Sequence, residues 1–206
     1  MYTMFACPMR VTPTIQTRKV KTRASKKPVD IYRETPLRYL GYANEVGESF
    51  TAFLPSWGVP ASYAVAATYV MMDTIDKTKK KYDETEDTQE ASKVAIDTCT
   101  WQMLASVFWP GSFIRLVVAA SSPHQFEGFV FKELDYIPTI IGLLTIPLIV
   151  KPIDETVDAI MEKSVKKILN DDVHSKDEMI GVVTTFGGAL MVPPVLYACA
   201  DLVRNQ

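Results

Sequence analysis

The chain has 206 residues, enough for one domain or one compact membrane bundle. Apolar residues make up 48% and charged residues 22%, which argues against disorder across the whole chain. Lys and Arg (22) nearly balance Asp and Glu (24), so no basic excess points to nucleic acid, and three scattered cysteines, Cys7, Cys99 and Cys199, exclude a disulfide framework and a cysteine-rich zinc site.

Met1 to Val29 contains no Asp or Glu but carries Arg10, Arg18, Lys19, Lys21, Arg23, Lys26 and Lys27. Basic, hydroxylated and acid-free is the composition of an organellar targeting segment. A basic arm touching anionic lipid is the plainer alternative. No apolar core of a secretory signal follows the first basic residue. Residues 1–30 are therefore set apart from the fold. Mitochondrial and plastid addresses both fit such a leader.

Four stretches then run without charge or nearly so. Ser49–Met72 spans 24 residues, Thr98–Ile114 spans 17, Tyr136–Val150 spans 15 and Met179–Ala200 spans 22. After the single Arg115, Leu116–Phe126 adds 11 more to the second stretch. A helix needs about 20 apolar residues to cross a bilayer core of ~30 Å. A soluble amphipathic helix would show a polar face every 3.6 residues, and residues 179–200 show no charge on any face. Small residues (Ser62, Ala64, Gly187, Gly188) and prolines within the stretches (Pro60, Pro110, Pro147, Pro193, Pro194) suit membrane helices. The expected class is all-α: a transmembrane helical bundle over residues 31–206. It has three to four spans, near 49–72, 98–120, 136–150 and 179–200, with four the preferred count. Tyr63, Tyr69, Trp57, Trp101 and Trp109 are candidate interface anchors.

The connections differ. Residues 73–97 hold five lysines and eight acids and read as a solvated loop with some helix. Residues 152–169 place Ile153, Val157, Ile160, Met161, Val165, Ile168 and Leu169 on one helical face, with acids early and lysines late. This predicts an amphipathic helix, started by Pro152 and stopped by Asn170-Asp171-Asp172, lying on the membrane or on its own bundle. With four spans, residues 31–48, 127–135 and 201–206 share one side, and the two lysine-rich connections share the other. The positive-inside rule then assigns those connections to the matrix.

Candidate chemistry is sparse. Glu45 and Glu48 share a helix face, and their position before an apolar stretch predicts a solvated or interfacial one. Arg115 within an apolar region must reach the interface or find a carboxylate partner. Asp154 and Asp158 are i, i+4; His124 stands alone in a loop. No phosphate-binding glycine motif occurs. The residues recommend no catalytic set, no metal site and no cofactor.

Residues 32–50 read YRETPLRYLGYANEVGESF. This resembles the N-terminal signature of the mitochondrial fission process protein family, most strongly in the run from Arg38 to Glu48. Asp97-Thr98, Trp101-Gln102, Leu104 to Val107 and Pro110-Gly111 resemble its second block. Gly142 to Pro147, Pro152 to Asp154 and Val157-Asp158 resemble its third. The likeness covers about residues 31–169; the long basic leader, the 73–97 connection and the 179–200 stretch depart from it. The resemblance implies a mitochondrial inner-membrane protein of division and inner-membrane integrity, with no catalytic chemistry. It implies contact or structural roles for Arg38, Tyr39, Tyr42, Asn44, Glu45, Glu48, Trp101, Gln102, Arg115 and Asp154. Expected partners are membrane lipids, inner-membrane carrier or respiratory-complex proteins and, indirectly, the fission machinery; nucleic acid is not among them. The rival readings are an accessory subunit of a respiratory or ATP synthase complex, and a carrier or channel.

Overall fold

The computed structural model describes residue 32, residues 35–122 and residues 136–205, with only the backbone described at Arg38. Every regular element among the described residues is helical. A 3-10 turn, Pro36–Tyr42, leads into α1 (Ala43–Ser49). Then come α2 (Gly58–Thr85), α3 (Thr88–Gln102), a π-helical turn (Met103–Phe108) and α4 (Trp109–Ala120). After them follow α5 (Ile137–Lys163), α6 (Val165–Leu169) and α7 (Lys176–Arg204).

Three continuous helical stretches are long and apolar enough to cross a membrane: Thr88–Ala120, Ile137–Leu169 and Lys176–Arg204. The 49–72 stretch is not among them, which corrects the preferred count of four to three. The chain reverses inside it. Phe50 N–H returns to Val46 O to close α1, and Gly58 N–H bonds Pro55 O to open α2. Only residues 58–72 of α2 are uncharged, about 22 Å of helix at ~1.5 Å per residue, short of a bilayer core.

The 73–97 connection is a helical hairpin rather than a loop. Lys77–Asp73 and Lys80–Asp76 pairs at i, i+4 carry α2 through its charged half. Glu86 ends it in the left-handed region at φ 52°, and Asp87 caps α3 by accepting from Gln89 N–H. The amphipathic segment also differs from its reading. Pro152 does not start a helix but lies inside α5, which runs unbroken from the apolar stretch into the charged one. The break comes at Ser164, and the stop at Asn170 and Asp171 (φ 56°) stands where expected. At α7, Ser175 accepts from Glu178 N–H while the Glu178 carboxylate accepts from His174 N–H, a variant of the capping box.

Side chains are distributed inside out. Leu148 (74%), Leu144, Met191 and Leu202 (65% each) are exposed. Asn44, Glu45, Glu48, Ser49, Asp73 and Gln102 are buried. Such a bundle keeps its polar groups among themselves and offers its apolar groups outward, as a surrounding of hydrocarbon requires. Apolar packing inside comes from Leu104, Ala105, Val157 and Met161 in one cluster and Ala66, Tyr69, Val70 and Val107 in another.

Close contacts order the bundle end to end. Gly41, Tyr42, Trp101, Gln102, Val150 and Asp154 meet at one end, beside the two lysine-rich connections. Ser49 and Gly142 meet near the other, where Arg115 also meets Asp201. Residues 41–49 therefore run inward from the charged end, and α2 returns to it. This corrects the side read for residues 31–48: Gly41 and Tyr42 share the end of the 73–97 and 151–178 connections.

Candidate functional site

The short helix α1 is the hub, because three helices approach it where glycine leaves room. A Cβ on Gly47 would overlap Ser62 Oγ on α2 and fall 2.5 Å from Ser62 Cβ. A Cβ on Gly142 of α5 would fall 2.6 Å from Ser49 Oγ, and one on Gly111 of α4 would fall 2.7 Å from Asn44 Nδ2. Small residues at the crossings thus bring polar side chains of α1 against their neighbours' backbones.

The π-helical turn has a local cause. Pro110 lacks an N–H, and its ring would strike the carbonyl four residues back in a regular helix. Widening the preceding turn relieves that clash, with Trp109 N–H bonding Leu104 O five residues earlier. Asn44 Nδ2 donates to Val107 O at 2.9 Å in this turn.

At the charged end, a cavity of about 180 Å3 is lined by Gly41, Tyr42, Tyr69, Trp101, Gln102 and Asp154, among others. Trp101 Nε1 donates to Asp158 at 2.6 Å. Gln102 donates to buried Asp73, which Lys77 also pairs at 2.8 Å, and accepts from Ser106. The opposite layer is built on Arg115. Its Nη2 donates to Asp201 at 3.0 Å, and its Nη1 stands 3.8 Å from Glu48. Its guanidinium lies over the Tyr197 ring, 5.1 Å from the centroid. Tyr63 donates to Glu48 at 3.1 Å and bonds the Tyr197 hydroxyl. Gln102 and Arg115 are thirteen residues apart on one helical stretch, about 20 Å at ~1.5 Å per residue, so the two polar layers bound an apolar slab.

Between them Glu45 is fully buried, and neither carboxyl oxygen has a hydrogen-bond partner among the described residues.

Several sequence expectations change here. Glu45 and Glu48 do not lie on a solvated face; both are buried, because α1 is drawn into the bundle. Arg115 resolves as a paired residue. Tyr42, Trp101, Gln102 and Asp154 come together, as do Glu48 and Arg115, while Asn44 and Glu45 lie between the layers. Tyr39 joins neither layer and is 74% exposed. The Arg38 side chain and His124 lie outside the described residues. Sequence reasoning gave Tyr63 only as an interface anchor and missed Tyr197, Asp201 and Asp73. The one available signal was that Asp201 ends the charge-free run of a neighbouring span, at a depth open to Arg115. Among the described residues no group of three metal-ligating side chains occurs.

Residues 30–98 and 74–161 match the family described as Mitochondrial 18 KDa protein (MTP18). The chain is 45% identical to Mitochondrial fission process protein 1 of Danio rerio over 151 residues, covering 70% of this chain and 92% of that one. It is 43% identical to the Homo sapiens protein of that name, covering 68% and 87%, and 41% identical to the Caenorhabditis elegans one, covering 72% and 94%. No solved structure matches. The family match ends at residue 161, so Tyr197 and Asp201 reach the Arg115 layer from beyond it.

Proposed function

From the premise that this chain belongs to the Mitochondrial 18 KDa protein family, we propose that it is a non-enzymatic protein of the mitochondrial inner membrane, acting in mitochondrial fission and inner-membrane integrity. Relatives named for the fission process support the role. The inside-out bundle is the observation that carries the membrane reading: three candidate spans expose large apolar side chains around a polar interior. It acts by helix packing and partner contact. Surrounding lipids, inner-membrane carrier or respiratory-complex proteins and, indirectly, the fission machinery are its partners.

The end bearing the two lysine-rich connections faces the matrix. Lys77, Lys79, Lys80, Lys81, Lys93, Lys151, Lys163, Lys166, Lys167 and Lys176 all belong to it, and Arg204 lies at the other. The N-terminal segment from residue 35 to 42 shares the matrix end.

Depletion of the chain, with imaging of the mitochondrial network and protease protection in intact and swollen mitochondria, tests this reading. A hyperfused network rescued by the full chain, and resistance to alkaline extraction, are expected. An unchanged network under both depletion and overexpression would refute the role. Extraction with peripheral proteins would refute the membrane placement.

A further inference from the structure

Beside the Arg115 layer lies a cavity of about 440 Å3 that the packing does not fill. Its polar wall is Glu48, Thr51, Ser56, Tyr63, Arg115 and Tyr197. Leu54, Pro55, Val59 and Pro60 form an apolar wall beside them. We propose that this cavity seats the phosphate of a membrane phospholipid, held by the Arg115 guanidinium with Ser56 and Thr51 at its rim, while the glycerol and first acyl carbons lie along Leu54, Val59 and Pro60.

Two observations and the chemistry of the guanidinium carry it. Arg115 is paired but keeps donors to spare: Tyr197 supports its plane, Nη2 bonds Asp201, and Nη1 pairs with Glu48 at 3.8 Å without a hydrogen bond. A guanidinium offers five donors in a planar fork that matches phosphate oxygens. The competing carboxylate, Asp201, is 56% exposed and is free to turn to water, whereas Glu48 is 1% exposed and already accepts from Tyr63.

Depth supplies the choice of lipid over a soluble phosphate. The layer lies toward the end of the spans away from the lysine-rich connections, within snorkelling reach of the headgroups, and exposed Trp57 in the adjoining turn is an interfacial residue type. An apolar wall continuous with a phosphate seat matches a diacyl phospholipid and gives a free anion nothing. The proposal requires membrane residence but not the role in division.

Native mass spectrometry of the full chain, released from detergent after incubation with phosphatidylglycerol, tests it. One retained lipid per chain is expected, with diacylglycerol of the same acyl chains not retained. Arg115→Gln should lower retention about tenfold, the worth of a lost charge-assisted contact. Because that variant also unlatches α7, two others decide the matter. Ser56→Glu, at an exposed turn, should lower retention, and Ser56→Lys should raise it. Asp201→Asn should raise retention by releasing the guanidinium; a purely structural Arg115–Asp201 pair predicts a fall. Equal retention of diacylglycerol, indifference to both Ser56 variants, or displacement by excess inorganic phosphate would each overturn the proposal.

Discussion

Replacing Gly47 by Ala should destabilise the protein although alanine is the better helix former. The substitution gains roughly 1 kcal/mol of helix propensity. Against this, the new methyl would lie 2.5 Å from Ser62 Cβ and closer still to its Oγ, where carbon atoms ordinarily rest ~3.5–4.0 Å apart. The hydroxyl cannot relieve the overlap by rotating, because Ser62 Cβ is itself too close, and Oγ is tied to Val59 O at 2.7 Å. Helices α1 and α2 must separate by more than ~1 Å, and overpacking of that kind costs about 1–3 kcal/mol or more. A net loss near 2 kcal/mol lowers Tm by about 4–8 °C in a chain of this size. Ser62→Gly removes both offending atoms. Alone it costs about 1 kcal/mol of helix propensity, but combined with Gly47→Ala it should return Tm to near the wild-type value. Ser62→Ala keeps Cβ and should not rescue. Thermal melts of the four proteins in one detergent form a double-mutant cycle with a coupling of about 3 kcal/mol. A stable Gly47→Ala protein, or equal rescue by Ala and Gly at position 62, would show that the α1–α2 crossing does not depend on this contact.

Single cysteines at Thr35 and Ser92, in a chain otherwise free of cysteine, should react with an impermeant maleimide from the same side of the membrane, and one at Asn205 from the other. Labelling of Thr35→Cys with Asn205→Cys would overturn the inward course of residues 41–49. Trp101→Phe, which deletes the donor to exposed Asp158, should cost about 0.5–1 kcal/mol. The same loss should not add to that of Asp158→Ala in a thermal-shift cycle; full additivity would dismiss the contact.

The helical class and the apolar stretches were legible because absence of charge over 15 to 24 residues is a local property. The stops at Asn170 and Asp171 were legible for the same reason. The reversal inside residues 49–72 was not. Pro55, Gly58 and Pro60 punctuate it, but proline and glycine are equally at home within membrane helices, so the sequence cannot separate a break from a tolerated kink. The burial of Glu45 and Glu48 was illegible because it depends on glycines far away in the chain. Gly111 and Gly142 open the space that admits α1, and nothing near residue 45 reports them. The Arg115 partner was half legible: a charge in an apolar stretch demanded one, but choosing Asp201 required knowing that α4 and α7 pack side by side.

These relations explain why so polar a segment can sit inside a membrane bundle. Lipid supplies no hydrophobic drive for one helix to seek another, so polar contacts and close packing must hold the bundle. In α1 the two coincide. Gly47 brings α2 close, while Asn44 bonds the π-helical turn and Glu48 receives the Tyr63 hydroxyl. Each polar group left in hydrocarbon would cost several kcal/mol. The α1 side chains therefore stabilise the packed arrangement chiefly by making separation of the helices expensive. Arg115 extends the same logic to α7, whose most apolar window is only 17% buried and where a Cβ added at Gly187 or Gly188 would meet nothing within 4 Å. Held by Arg115–Asp201, Tyr63–Tyr197 and the Trp109 bond to Ala189 O, α7 is fastened by polar latches more than by fit. The helix that lies beyond the family match is thus anchored on Tyr63 and Arg115, residues within that match.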